Sequence, residues 1–243
     1  MMRALCKKEI DQFFSSSIGL LTIILFLLTN TLFLWVFSSE FNLLDYGYAT
    51  LDPFFTLSPI ILLIFIPSIC MRLFSEEYQS GRIEILITKP ISCWSLVFSK
   101  FLAANILVLF AILPTLIYFF SIYYLGETIG NLDIGGVFGS YLGLFMLSSS
   151  FIAIGIFASS LSNNQVIAFL IAITLNSITY YGFDIISKMS LLQNYDLIIN
   201  NMGIAKHYNT MSKGIVDSRD VVYFLSICFL FLMLCKTIIS HKR

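Results

Sequence analysis

Six stretches of about twenty mostly apolar residues leave this chain few ways to fold. A hydrocarbon core about 30 Å thick is crossed by about 20 helical residues rising about 1.5 Å each. Spans are therefore expected at about 18–37, 54–74, 101–124, 135–158, 166–186 and 221–240. The first contains fourteen Leu, Ile, Phe or Val residues. At about −0.3 to −0.6 kcal/mol each, these favour insertion by at most roughly 4–8 kcal/mol. Asn30 cannot offset that. This span has the basic flank of a signal peptide, but it runs too long and lacks a small-residue cleavage site, so it is expected to stay as an anchor. Composition agrees: the chain is 58% hydrophobic and 12% charged, with a mean hydropathy of +0.90. That charged fraction is about half of what a soluble domain carries. The expected fold class is an all-α integral membrane protein with six transmembrane helices.

Charge sets the orientation. Arg3, Lys7 and Lys8, then Arg72, Arg82, Lys89 and Lys100, then Lys236, Lys242 and Arg243 all fall on one side of the six-span topology. The four remaining basic residues, Lys188, Lys206, Lys213 and Arg219, share one long connection on the other side. Basic residues are retained in the cytoplasm, so both termini are expected there. Trp35, Tyr123, Tyr124, Tyr141, Tyr180, Tyr181 and Tyr223 would then lie near the outer interface and Trp94 near the inner one, depths that amphipathic rings favour. Residues 1–17 mix Leu5, Ile10, Phe13 and Phe14 with charges, as an amphipathic helix lying on the inner leaflet would, although a mere basic flank reads the same way. Residues 18–243 form the transmembrane domain, with a cytosolic segment at 75–100 and an outer connection at 187–220.

Local signals add detail. Ser162 and Gln165 are spaced as a capping box for the fifth span, Ser92 can cap the helix leading into the third, and Asp217 can cap the start of the sixth. Apolar residues such as Leu191, Leu192 and Leu197–Ile199 suggest short helices dipping into the outer interface. Gly135, Gly139 and Gly143 make two overlapping GxxxG steps, a face along which helix backbones can approach closely in lipid. A substrate contact is the alternative reading. Pro59, Pro67 and Pro114 fall inside spans, where kinks are expected.

The residues also exclude chemistries. No GxxxxGK[ST] loop occurs, so the chain has no Walker-type phosphate cradle. Five cysteines without CxxC spacing and two histidines, His207 and His241, give no support to a metal or thiol-redox site. A net charge of zero without a basic patch argues against nucleic acid. Arg72, Asp184 and Lys236 lie near span ends, so no ionisable group sits at the bilayer midplane, where ion-coupled transporters keep one. Energy for transport would have to come from outside the chain. Asn30, Thr174, Asn176, Ser177 and Thr179 are expected to hydrogen-bond between helices, or else to line a passage.

Between the second and third spans, Glu76-Glu77-Tyr78-Gln79-Ser80-Gly81-Arg82-Ile83-Glu84 opens a charged hairpin with a glycine break. The run continues through Ile85-Leu86-Ile87-Thr88-Lys89-Pro90 to Lys100. It resembles the ABC-2 permease signature: an acidic residue, glycine, Glu-x-Leu-Leu-Thr, proline and a later lysine. Ile87 stands in for the second leucine, and Ser99 for a frequent glycine before Lys100. Six spans with both termini inside match that family's layout. The runs Ser159–Phe169, and His207 through Gly214 and Asp217 to Phe224, are similar to the gliding-motility permease subunits (GldF) of the Bacteroidota.

The resemblance implies an ABC-2 (type V exporter-like) permease fold in a bacterial inner membrane. It implies no cofactor on this chain, with ATP bound and hydrolysed by a separate ABC ATPase subunit of the GldA type. It also implies a companion membrane protein of the GldG type and a homo- or heterodimer of permeases. In the family the second-to-third connection docks on the ATPase, a role that carries over to Glu77, Gly81, Arg82, Glu84 and Pro90. The rival reading is a membrane scaffold for a motility or secretion machine that moves no solute. A membrane-embedded enzyme is the weakest reading, because no catalytic constellation is present. The resemblance names no substrate.

Overall fold

In the computed structural model the described residues are 2–82, 92–126, 130, 132–188 and 200–241. They form helices joined by turns and by an irregular connection at 37–51. An N-terminal helix α1 (Met2–Ser15) leads at Ser16 into α2 (Ser17–Thr31), which ends in a π-helical turn at Leu32–Val36. Then follow α3 (Asp52–Gln79) and α4 (Cys93–Ile112). A 3₁₀ turn at Leu113–Thr115 connects α4 to α5 (Leu116–Leu125). Next come α6 (Ile134–Leu161) and α7 (Gln165–Ser177), and a second π-helical turn at Ile178–Gly182 continues α7 into α8 (Phe183–Ser187). The chain closes with the short α9 (Ile204–Met211) and α10 (Ser218–His241). Six of these units are long and apolar enough to cross a membrane: Gly19–Val36, Asp52–Gln79, Cys93–Leu125, Ile134–Leu161, Gln165–Ser187 and Ser218–His241.

The long helices run past the expected spans at the basic end. α3 extends to Gln79, and the third crossing begins at Cys93, so 75–79 and 93–100 of the expected cytosolic segment are helical. The physical reason is that nothing breaks α3 before Gly81, whose φ of +68° turns the chain in the left-handed region that glycine adopts freely. Ser92 caps α4 by accepting a hydrogen bond from the Ser95 amide, and Asp217 caps α10 through the Arg219 amide. For α7 the expected cap moves. Asn164 accepts from the Val166 amide, while Ser162 accepts from the Asn164 amide, because the turn places Asn164 at the helix entry.

The centre of the bundle is α6 against α3. Gly155 lets the two helices close up: a Cβ there would lie 2.8 Å from the Cys70 Cβ. One turn further on, Ser159 Oγ accepts hydrogen bonds from the Phe74 and Ser75 amides at 3.1 and 3.2 Å and lies 3.2 Å from the Met71 carbonyl. Ser75 Oγ in turn donates to the Ser159 carbonyl at 3.2 Å. Without a hydrophobic gradient between lipid and helix, close approach and such polar stitches hold the pair together.

The three prolines behave differently from one another. α3 stays helical through Pro59 and Pro67, while Pro114 sits in the 3₁₀ turn that divides the third crossing. Proline lacks an amide hydrogen, so Pro59 leaves the Phe55 carbonyl without its helical donor. Tyr208 of α9 supplies a substitute, its hydroxyl donating to Phe55 O at 2.6 Å. Burial, with Tyr180 nearby, holds the Tyr208 phenol pKa well above its ordinary value, so the group stays protonated and remains a donor.

The polar residues inside the spans depart from expectation. Thr174 and Thr179 bond carbonyls of their own helix, and Asn30 donates to its own Phe26 carbonyl. Of the five singled out in the sequence (Asn30, Thr174, Asn176, Ser177 and Thr179), Asn30 alone reaches a neighbouring helix among the described residues, its amide oxygen lying 3.5 Å from Ser58 Oγ. Asn176 is fully buried, and neither its nitrogen nor its oxygen finds a partner among the described residues. A hydroxyl on a helix bonds back one turn more readily than it spans the gap to the next helix.

Candidate functional site

The densest polar structure lies at the end of the bundle where α1, the C-terminal end of α3 and the N-terminal end of α4 meet. The amphipathic pattern of α1 puts Lys8, Glu9 and Gln12 near one face at helical spacing. Lys8 Nζ pairs with Glu77 Oε1 at 3.1 Å, and Gln12 Nε2 donates to Glu76 Oε1 at 3.2 Å. Lys100 reaches in from α4 and lies 3.0 Å from Glu9 Oε1 and 2.9 Å from Glu77 Oε2. Its ammonium also donates to the Leu73 carbonyl at 2.5 Å and sits 4.9 Å above the Phe74 ring. Lys100 is 1% exposed, and the Glu77 and Glu9 side chains are 5% and 9% exposed.

This is a neutral quartet, two ammonium groups against two carboxylates: Lys100, Glu77 and Glu9 are buried, and the partly exposed Lys8 closes it on the solvent side. A buried ion pair gives little net stability relative to an apolar replacement. Removing one partner, however, strands a charge and costs about 3–5 kcal/mol. The quartet therefore fixes geometry: α1, α3 and α4 cannot separate without exposing unpaired charge to lipid or protein. Tyr78 lies one residue beyond Glu77, partly buried against the core.

At the rim of the same site, Arg82 Nη2 pairs with Glu76 Oε1 at 2.8 Å and Arg82 Nε donates to Ser80 Oγ at 2.7 Å. These contacts fold the chain back immediately after Gly81. Beside the quartet a cavity of about 490 Å³ opens between α1, α3 and α4, lined by Glu9, Gln12, Ser16, Arg72 and Glu76 among others. Arg72 donates to Ser16 Oγ at 2.8 Å, tying α3 to the junction of α1 and α2. At the end of α10, Lys236 lies 5.7 Å over the Trp94 ring, so the C-terminal helix reaches this same end of the bundle.

Of the residues the signature assigns to ATPase coupling, Glu77, Gly81 and Arg82 fall together here: Glu77 inside the quartet, Gly81 at the turn, Arg82 on the rim. Glu84 and Pro90 lie outside the described residues. Lys100 belongs to the motif, but its partners were not legible. They lie 23 and 91 positions away, beyond any helical spacing rule. Glu9 stands among Lys7, Lys8 and Asp11 and Glu77 beside Glu76, so the sequence marked neither as the partner of Lys100.

The glycine face divides. A Cβ on Gly139 would lie 2.7 Å from the Gly214 carbonyl oxygen, and one on Gly143 would lie 2.6 Å from the Met211 Cβ. A Cβ on Gly135 would meet only Asp133 Oδ1, at an ordinary 3.5 Å. Gly139 and Gly143 thus admit α9 and the turn after it, with Ser140 Oγ donating to the Ser212 carbonyl at 2.8 Å. Gly155, where α6 closes on α3, was missed. Its partner four residues on is Ser159 rather than glycine, so a search for small residues at that spacing finds it where a glycine pattern does not.

Among the described residues no cluster of three or more His, Cys, Asp or Glu side chains is arranged to hold a metal ion. A family model described as ABC-2 family transporter protein matches residues 3–240, which is nearly the whole chain. Comparison with curated proteins finds no match.

Proposed function

The chain belongs to the ABC-2 transporter family, a component of membrane transporters, and from that premise we propose that it is a permease subunit driven by a separate ABC ATPase. ATP is bound and hydrolysed on the partner. The connection between α3 and α4 receives the motion, from the cytoplasmic side of a bacterial inner membrane. Glu77, Gly81, Arg82, Glu84 and Pro90 are the coupling residues of this reading.

The observation that supports it is how that connection is anchored. It leaves α3 at Gly81 and enters α4 at Cys93, and both flanking helix ends are pinned to α1 through Glu77 and Lys100. A push on the connection would therefore move three helices as one unit. A loop between independently mobile ends would dissipate it.

The finer reading follows the resemblance of the 159–169 and 207–224 runs: a gliding-motility permease, paired with a GldA-type ATPase and a GldG-type membrane protein. The test is co-purification from detergent with a co-expressed GldA-type ATPase. The wild-type chain should retain it, and a Gly81→Pro, Glu84→Arg double variant that still inserts should lose it. Unchanged retention by that variant would overturn the coupling assignment. Gliding that persists with a hydrolysis-dead ATPase would instead favour the scaffold reading.

A further inference from the structure

At the end of the bundle away from the termini, a cavity of about 660 Å³ opens between the π-helical turn at Ile178–Gly182, α8 and α9. Its size is within the usual range of small-molecule sites, about 300–1,000 Å³. Lys188, Lys206 and Lys213 all line it. These are three of the four basic residues that the charge bias of the sequence leaves on this side. We infer that this cavity binds a net-anionic, phosphate-bearing headgroup, held by Lys206 and Lys213.

The charge balance carries the inference. Among the described residues Asp184 is the one carboxylate in the lining, and it is already paired with Lys188 at 2.8 Å. Lys206 donates to Asn201 Oδ1, a neutral amide that leaves its charge uncompensated. Lys213 has no carboxylate within ion-pair distance among the described residues. Two ammonium groups thus face one cavity with no free carboxylate to balance them among the described residues. Asn209 and Thr210 add neutral hydrogen-bonding groups, and Tyr181 adds an aromatic wall, packed edge-on against Tyr180 at 4.8 Å. A phosphate ester offers several acceptor oxygens around one negative centre, which suits separate lysine point charges supplemented by amide and hydroxyl groups. Tyrosine at this depth suits a ligand that lies at a lipid–water boundary. The inference does not depend on the ATPase partner, and its test uses neither ATP nor ATPase.

The experiment measures lipid retained on the purified full-length chain by native mass spectrometry, with phosphatidylglycerol and phosphatidylcholine offered together. Wild type should keep phosphatidylglycerol in preference. A Lys206→Glu, Lys213→Glu double variant should lose about tenfold or more of that preference, since each basic residue near a membrane surface is worth about a factor of five. Arg219→Glu, which changes the same connection outside the cavity lining, should leave the preference unchanged. In the wild-type chain, phosphatidylglycerol should also slow acetylation of Lys206 and Lys213, a readout that requires no variant. Displacement of the lipid by sn-glycerol 3-phosphate would assign the site to the phosphoester alone, and resistance to displacement would assign it to the whole lipid. Equal retention by the double variant, an equal loss with Arg219→Glu, or unaltered acetylation would each overturn the inference.

Discussion

Replacing Lys100 by methionine keeps the apolar stem and removes only the ammonium, leaving the buried Glu9 and Glu77 to share the one partly exposed Lys8. The expected loss is about 3–5 kcal/mol, seen as a lower melting midpoint in detergent. Adding Glu77→Gln should recover part of it, because one stranded carboxylate is then gone. A Lys100→Met variant that melts with the wild type would show that the quartet fixes nothing. Asn176 is the opposite case. Its buried amide has no protein partner among the described residues. Asn176→Leu should therefore raise the midpoint, by the equivalent of about 1–3 kcal/mol. The sequence showed Lys100 as the later lysine of the signature at the cytosolic end of the third span, and Asn176 as a polar group within the fifth, and could go no further. Whether such a group is paired depends on side chains that tertiary packing brings near, and neither helical periodicity nor spacing encodes that.

Two contacts between elements offer sharper tests. Gly155→Leu would push its side chain into the Cys70 Cβ, 2.8 Å from where the new Cβ begins, and should prevent α6 from seating on α3. Gly135→Leu, which meets only an ordinary contact, should be tolerated. The yield of monodisperse protein in detergent separates the two. The second test concerns Pro59 and Tyr208. Tyr208→Phe should destabilise by about 1–3 kcal/mol, because the buried Phe55 carbonyl loses its donor. In a Pro59→Ala background the same change should cost less, since an alanine amide restores the helical bond to that carbonyl. Equal costs in both backgrounds would show that Tyr208 is not the substitute donor. At this scale the sequence marked the helices well, through their length and apolar content. It marked their ends less well, because a helix continues past the hydrocarbon boundary wherever its charged residues find partners, as Glu76 and Glu77 do. The π-helical turns at Leu32–Val36 and Ile178–Gly182 carried no glycine or proline signal at their starts.

For the whole molecule, orientation is the decisive quantity. A single cysteine at position 84, in a background without the five native thiols, should react with an impermeant reagent only from the cytoplasmic face. One at position 213 should react only from the other. The reverse pattern would remove any route for an ATPase to reach the α3–α4 connection. Crossing number and charge asymmetry were legible because the bilayer imposes them on composition, whereas the joining of α1 to α3 and α4 was not. That joining has a consequence for biogenesis. Glu9 leaves the ribosome 91 residues ahead of Lys100. At about 5–20 residues per second, roughly 5–20 s pass before its partner is synthesised. Over that interval the first helix is expected to keep Glu9 hydrated, and to lock into place only once Lys100 has been made. Nascent chains halted before residue 100 should therefore keep an N-terminal helix open to protease, and chains halted well beyond it should not.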